Sequence, residues 1–179
     1  ALQALFDYAP RFERVLKQAR LDFEPPEVLS VFLVAERLQG NATTEFGSPA
    51  IAPARDSDPV DEAEVERFER LLRAYWHTFD SARRNAAGRE LSKGPRGGGR
   101  ELDAMTFHLI GSDQGYLAKI GWKLRLNERD HVETQLDQTR QAILGALEAA
   151  ASGNLQAQGP RGGIYWTPRY FVRRIAWHV

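Results

Sequence analysis

The sequence predicts a mainly α-helical protein of 179 residues. Residues 58–179 are expected to form an up-down-up-down four-helix bundle, and residues 1–57 a small N-terminal α+β segment. After residue 58, four segments repeat apolar residues at helical spacing, with connections of about ten to fifteen residues between them. Before residue 58, a β-branched and aromatic run stands between a helical pattern and a loop-like stretch. Because each amphipathic helix must bury one stripe, four stripes favour a bundle.

The N-terminal segment combines a helix signal with a strand signal. Apolar residues at helical spacing predict a helix in residues 1–22, and Pro10 is expected to break it because proline lacks a backbone donor. Residues 28–34 read Val-Leu-Ser-Val-Phe-Leu-Val and predict a strand. Glycine and proline make residues 40–59 loop-like. Residues 1–12 resemble the tail of a HicB-like α+β module, and the chain is expected to begin inside that element.

Start and stop signals delimit the first two bundle helices. Asp58 is expected to cap the first helix, Pro59 suits its first turn, and the helix should fray near Gly88. The second helix is predicted at residues 101–120, with Gly121 as its stop. The expected core stripe of the first helix is Val65, Phe68, Leu72, Tyr75 and Phe79. The expected stripe of the second helix is Leu102, Met105, Leu109, Tyr116 and Ile120.

The last two bundle helices have similar signals. The third is predicted at residues 130–151, with Gly153 just after its end. Thr167 is expected to cap the fourth helix and Pro168 to occupy its first turn. The apolar line of this fourth helix consists of Phe171, Ile175 and His178. The sequence therefore places a histidine in line with residues that should face the core.

Composition excludes several functional classes. Lys+Arg and Asp+Glu both number 24, so the net charge is zero, which argues against a dedicated nucleic-acid-binding protein. The chain has no cysteine, which rules out a disulfide framework, a thiolate nucleophile and cysteine-ligated zinc. No apolar run approaches the roughly 18 residues that a membrane span needs, and the N-terminus lacks a signal-peptide pattern. We therefore expect a cytoplasmic protein with no nucleic-acid or membrane partner.

A glycine-rich motif occurs twice. Gly-Pro-Arg-Gly-Gly stands at residues 94–98 and again at 159–163, each time ahead of a histidine-bearing helix. Arg96 and Arg161 are predicted to bind an anionic substrate, because a guanidinium and glycine-rich backbone N–H groups both favour carboxylate or phosphate. In an up-down-up-down bundle both loops would meet at one rim. The alternative is a pair of turns with solvent-exposed arginines.

Two of the four histidines are candidate metal ligands. His108 lies on the second bundle helix, at the flank of its stripe, and His178 lies on the fourth. Imidazole is the commonest transition-metal ligand, and facing helices can bring two within reach of one ion, with the rings about 5 Å apart. The alternative is a hydrogen-bonded structural role for each. His77 and His131 are expected at the surface.

The segments that carry this pair resemble a known family. Residues 105–117, Met-Thr-Phe-His-Leu-Ile-Gly-Ser-Asp-Gln-Gly-Tyr-Leu, resemble the second helix of DinB/YfiT-like proteins, where a histidine precedes an acidic position and an aromatic-Leu pair. Residues 166–179 resemble the start of that family's last core helix, whose pattern is HxxxH. His178 would be its first histidine, and the second would lie four residues on, beyond Val179.

The resemblance implies a four-helix bundle with a three-histidine site for a divalent metal, zinc or nickel. It implies a metal-dependent transferase, isomerase or hydrolase that acts on a small molecule, anionic or a thiol, and a homodimer is one expected assembly. The alternative is a metal-free binding or regulatory module in which residues 1–57 mediate association. Asp113 is expected to be solvated, with a hydrogen bond to a ligating histidine as its alternative role.

Overall fold

The computed structural model describes residues 2–45, 47–92, 101–155 and 165–179. Helices form most of these ranges, and no strand occurs within them, which confirms the mainly α class. The α-helices are α1 (Leu2–Gln18), α2 (Ala42–Glu45), α3 (Glu62–Ala86), α4 (Leu102–Lys119), α5 (Val132–Ala151) and α6 (Pro168–His178). Short 3-10 turns lie at Leu29–Val31 and Ala54–Ser57.

The predicted strand at residues 28–34 is wrong. The structure has a single 3-10 turn at Leu29–Val31, followed by backbone without regular structure. A strand needs a neighbouring strand for its backbone hydrogen bonds, and the described part of the chain offers none. Leu33 is 92 % exposed, so the apolar side chains of this run do not enter the core. High β propensity alone therefore does not produce a strand here.

The predicted break at Pro10 is also wrong, because α1 continues through it from Leu2 to Gln18. Proline costs the helix one internal hydrogen bond, and packing on α3 offsets that cost. Val15 and Ala19 are buried against Ala74 of α3, and Gln18 accepts a hydrogen bond from Thr78 at 3.4 Å. Tertiary contacts on the C-terminal half of α1 thus hold together a helix that local propensity would divide.

The bundle helices begin and end close to the predicted residues, with one exception. Thr167 caps α6 by accepting from the backbone N–H of Tyr170, as expected. Gly121 ends α4 with a φ of 87°, and a β-carbon there would lie 3.1 Å from the Tyr165 ring. The cap of α3 is Asp61, which accepts from Glu64 N at 2.8 Å, and not Asp58. Asp58 instead closes the preceding 3-10 turn.

Helices α3, α4, α5 and α6 share one hydrophobic core. Its fully buried side chains include Leu72, Leu117, Ile143, Leu147, Phe171 and Ile175. Helix α3 packs against α5 and α6, and α4 packs against the same two helices. Two elements consecutive in sequence, α3 and α4, therefore stand diagonally across the core rather than side by side.

Contacts along the helices fix their directions. Near the end of α3, Arg83 pairs with Glu133 at the start of α5, so α3 and α5 are antiparallel. At the start of α6, Trp166 N donates to Lys119 O at the end of α4 at 2.8 Å, so α4 and α6 are also antiparallel. Arg169 pairs with Glu64, which places the start of α6 beside the start of α3.

These directions make α4 and α5 parallel, so the order is up-down-down-up and the predicted up-down-up-down order is wrong. The connection at residues 120–131 returns along the bundle, with Trp122, Leu124 and Leu126 partly buried and Lys123 and Arg125 exposed. Twelve extended residues reach roughly 40 Å, more than the ~27 Å length of an 18-residue helix such as α4. A connection of this length permits either direction, and it is a crossover because α4 ends and α5 begins at opposite ends of the bundle.

The corrected order separates the starts of the two histidine-bearing helices. Leu102 lies at the end of the bundle where α3 ends and α5 begins, because it lines a cavity with Arg83 and Glu133. Pro168 begins α6 at the opposite end, where α4 finishes. The helices that follow the two glycine-rich motifs therefore start at opposite ends of the bundle, and not at one rim as predicted. Arg96 and Arg161 themselves lie outside the described residues.

Residues 48–59 pack along the first turns of α6. The Tyr170 hydroxyl donates to Pro49 O at 2.9 Å. Arg173 forms a two-pronged ion pair with Asp56 at 2.9 and 2.6 Å, and Asp56 is only 2 % exposed. Arg174 donates to the Ser48 hydroxyl. This part of the N-terminal segment therefore completes the surroundings of α6.

Candidate functional site

The antiparallel contact of α4 with α6 brings His108 and His178 together. The centroids of their rings lie 5.2 Å apart, and the ring planes meet at 61°. His108 stands in the second turn of α4 with its side chain exposed, and His178 is the partly buried last residue of α6. The predicted approach of the two rings to about 5 Å is confirmed. The pair therefore faces solvent on one side and the bundle on the other.

The environment of His178 favours its neutral form. Burial lowers the pKa of His178 below its ordinary value, and the nearby His108 and Arg174 lower it further. The Nδ1 atom is buried and has no hydrogen-bond partner in the part of the chain that the structure describes. A neutral imidazole with an unsatisfied ring nitrogen is the state that a metal ion would require.

Tyr116 and Arg174 complete the surroundings of the pair. The Tyr116 ring lies 5.8 Å from the His178 ring. The Arg174 guanidinium carbon lies 5.1 Å from the Tyr116 ring, and Nη2 donates to the phenolic oxygen at 3.2 Å. Trp166 and Trp177 lie 5.6 and 5.1 Å from the same carbon. An arginine enclosed by three aromatic rings thus stands one helical turn before His178.

Sequence reasoning missed both residues. The sequence puts Tyr116 in the core stripe of α4 and indicates no role for Arg174. Spacing could have found them, because Tyr116 follows His108 by two helical turns and Arg174 precedes His178 by one. The other two histidines lie away from the site. His77 is exposed on α3, and His131 is exposed at the start of α5, as predicted.

The pair is not part of a larger ligand group in the described residues. No three histidine or acidic side chains there are close enough together to hold a metal ion. At this site the described residues therefore provide two imidazoles, the hydroxyl of Tyr116 and the guanidinium of Arg174.

Asp113 occupies a place that the sequence did not indicate. The expectation that Asp113 is solvated is wrong, because its side chain is 1 % exposed. The core-facing stripe of α4 is turned relative to the predicted one, since Met105 is 36 % exposed. The buried residues of α4 are Thr106, Leu109, Ile110, Asp113 and Leu117. Helix α4 contacts both α5 and α6, so its core-facing stripe points between them. Asp113 belongs to this stripe and is therefore buried.

The buried carboxyl group lies near a charged pair on two other helices. Burial raises the pKa of Asp113 to about 8, and the positive charge of Arg140 limits the rise. Arg140 itself is held by Asp80 at 2.9 and 2.7 Å and lies over the Trp76 ring. Asp113 Oδ1 and Arg140 Nε have no hydrogen-bond partner within the described ranges. The group therefore joins Asp113 of α4 to charged residues of α5 and α3.

Comparison with protein-family models, with curated proteins and with solved structures finds no match to this chain. The resemblance to DinB/YfiT-like proteins therefore rests on the two sequence segments that suggested it. Among the described helices, none has both the length and the apolar character that crossing a membrane would demand.

Proposed function

We propose that His108 and His178 bind a divalent metal ion, zinc or nickel, in a DinB-like four-helix bundle. The activity that we propose is that of a metal-dependent transferase, isomerase or hydrolase acting on a small molecule. The observation that carries the proposal is the 5.2 Å separation of two imidazoles on different helices, one of which has a buried, unsatisfied Nδ1. Two nitrogens at ~2.1 Å from one ion lie about 3–4 Å apart, which is compatible with that separation.

The residues around the pair suit such a role. The lowered pKa of His178 keeps its ring neutral, and a neutral ring can ligate without first losing a proton. The Tyr116 oxygen accepts a hydrogen bond from Arg174, which leaves the phenolic O–H to donate to a ligand beside His178. Trp166 and Trp177 line this side through their contacts with the Arg174 guanidinium. A divalent ion bound here would act as a Lewis acid with open positions for water or substrate.

The second candidate is a metal-free binding or regulatory module. The two-imidazole ligand set of the described residues favours it, because structural and catalytic zinc sites use three or four protein ligands. Exposed apolar side chains in the N-terminal segment also favour it, since they offer a surface for association. These side chains are Leu5, Tyr8, Val31 and Leu33, which are 56, 62, 62 and 92 % exposed.

Calorimetric titration with zinc separates the two functions. The chain contains four histidines, so His77→Ala and His131→Ala are matched controls for His108→Ala and His178→Ala. We expect one zinc ion per chain, and at least about tenfold weaker binding in either variant of the pair, because each removes a ligand. The control variants should bind zinc as the unaltered protein does. Equal losses in all four variants, or no zinc binding by the unaltered protein, would favour the metal-free module.

A further inference from the structure

We infer that Arg174 forms an anion-binding subsite beside the histidine pair, and that the small-molecule ligand carries a carboxylate. The inference deepens the proposed function and rests on it for the metal-binding end of the ligand. It also moves the anion-binding role to α6, whereas the sequence assigned that role to Arg96 and Arg161.

The first support comes from the side chains that surround Arg174. The neighbouring arginines of α6 each hold a carboxylate, Arg169 with Glu64 and Arg173 with Asp56. Arg174 has no ion-pair partner in the described part of the chain, although it is partly buried. Its neighbours are the neutral hydroxyls of Ser48 and Tyr116. A guanidinium cannot lose its charge, so a partly desolvated one lacks the anion that would stabilise it.

The second support is the donor count. A guanidinium has five N–H donors, and the two hydroxyls take one each from Nη1 and Nη2. Each of these nitrogens retains a second N–H, and a carboxylate can accept such a pair with both its oxygens. The rings of Tyr116, Trp166 and Trp177 around the guanidinium lower the local dielectric constant, which strengthens its attraction for an anion.

The third support is position. Arg174 and His178 are one turn apart on α6, so their β-carbons are about 6 Å from each other. Both contact the Tyr116 ring, at 5.1 and 5.8 Å. A carboxylate on Arg174 would therefore hold the adjoining atoms of its molecule beside the histidine pair. The ligand class that fits is a small carboxylic acid with a second polar group two or three bonds from the carboxylate.

Malonate, a dicarboxylate of this size, is a suitable probe on metal-free protein. The four tryptophans supply an internal control, because Trp166 and Trp177 touch Arg174 while Trp76 and Trp122 pack elsewhere. We expect malonate, titrated at constant ionic strength, to shift the indole N–H resonances of Trp166 and Trp177 only. Unchanged resonances, or equal shifts of all four tryptophans, would overturn the inference.

Substitutions distinguish anion binding from a merely structural role. Arg174→Gln should weaken malonate binding at least about tenfold, because it removes a charge-assisted pair of hydrogen bonds. Ser48→Ala removes one of the two hydroxyl partners of Arg174 but keeps the positive charge, and it should bind malonate within about twofold. Arg125→Gln removes an exposed charge elsewhere and should also have little effect. If Ser48→Ala loses as much as Arg174→Gln, Arg174 is a structural link and the inference fails.

The two proposals fail in different ways. If the metal site is wrong, zinc will not bind, but metal-free protein and the His108→Ala variant will still bind malonate. If the Arg174 subsite is wrong, malonate will not bind selectively, but the Arg174→Gln variant will still bind zinc. The indole resonances of the unaltered protein decide the second point even where a variant folds poorly.

Discussion

The buried carboxyl group of Asp113 should make the stability of the protein fall as pH rises. Its pKa is raised from 3.8 to about 8 in the folded state, chiefly by burial. Below about pH 4 both folded and unfolded chains carry the proton, and Asp113 adds no pH dependence. Between pH 4 and pH 8 the unfolded chain releases the proton while the folded chain keeps it, so unfolding becomes easier. Above pH 8 both states are ionised and the loss is complete.

The magnitude follows from linkage. One pKa unit corresponds to about 1.4 kcal/mol, so the contribution of Asp113 should fall by up to about 2.7 kcal/mol between pH 5 and pH 7. A domain of this size is stable by only about 5–15 kcal/mol, so the loss is large enough to measure. Asp113→Asn has nearly the same shape and no proton to release. The variant should therefore gain stability relative to the unaltered protein by up to about 1.4 kcal/mol per pH unit in this range.

The assay is urea unfolding of both proteins at several pH values from 4 to 9. Other titrating groups contribute equally to both, so the difference in unfolding free energy isolates Asp113. Asp137→Asn, at an exposed position on α5, is the matched control. A difference between Asp113→Asn and the unaltered protein that stays constant from pH 4 to pH 9 would refute the reasoning.

Three further substitutions test the packing that positions the site. Phe171→Ala, at a fully buried core position, should lower the free energy of unfolding by about 3–5 kcal/mol in denaturant titrations. Thr167→Ala should cost about 1 kcal/mol by removing the cap of α6, and an unchanged midpoint would contradict that role. Asp56→Ala should cost about 2 kcal/mol and speed proteolysis within residues 40–58, because Arg173 loses its charged partner. An unchanged cleavage rate would show that this pair does not hold the segment on α6.

Local signals in the sequence predicted the bundle helices well. Caps and glycine stops are short-range features, and Thr167, Gly121 and Gly153 mark helix ends in the structure as they did in the sequence. The prediction of a strand at residues 28–34 is wrong because strand formation depends on a partner strand that local sequence does not reveal. The predicted helix break at Pro10 is wrong for a related reason, since contacts with α3 outweigh the local cost of proline.

The periodicity of apolar residues does not determine the directions in which the helices run. A stripe shows that a helix is packed, but not which neighbours it meets or which way they run. Because the connection after Gly121 is a crossover, α5 and α6 both run opposite to their predicted directions. The predicted approach of the two histidines holds in spite of that error, because His108 lies near the start of α4 and His178 at the end of the antiparallel α6. Asp113 and Arg174 were missed because burial of a charged residue depends on tertiary contacts.

The claim that His108 and His178 share one metal ion is tested most directly by locating the ion. Crystals of the protein grown with zinc and measured at the zinc absorption edge would show the ion as an anomalous peak. A shared site predicts one peak between the two rings, about 2.1 Å from a nitrogen of each. A peak at the exposed His77 or His131 alone, or no peak between the two rings, would contradict it.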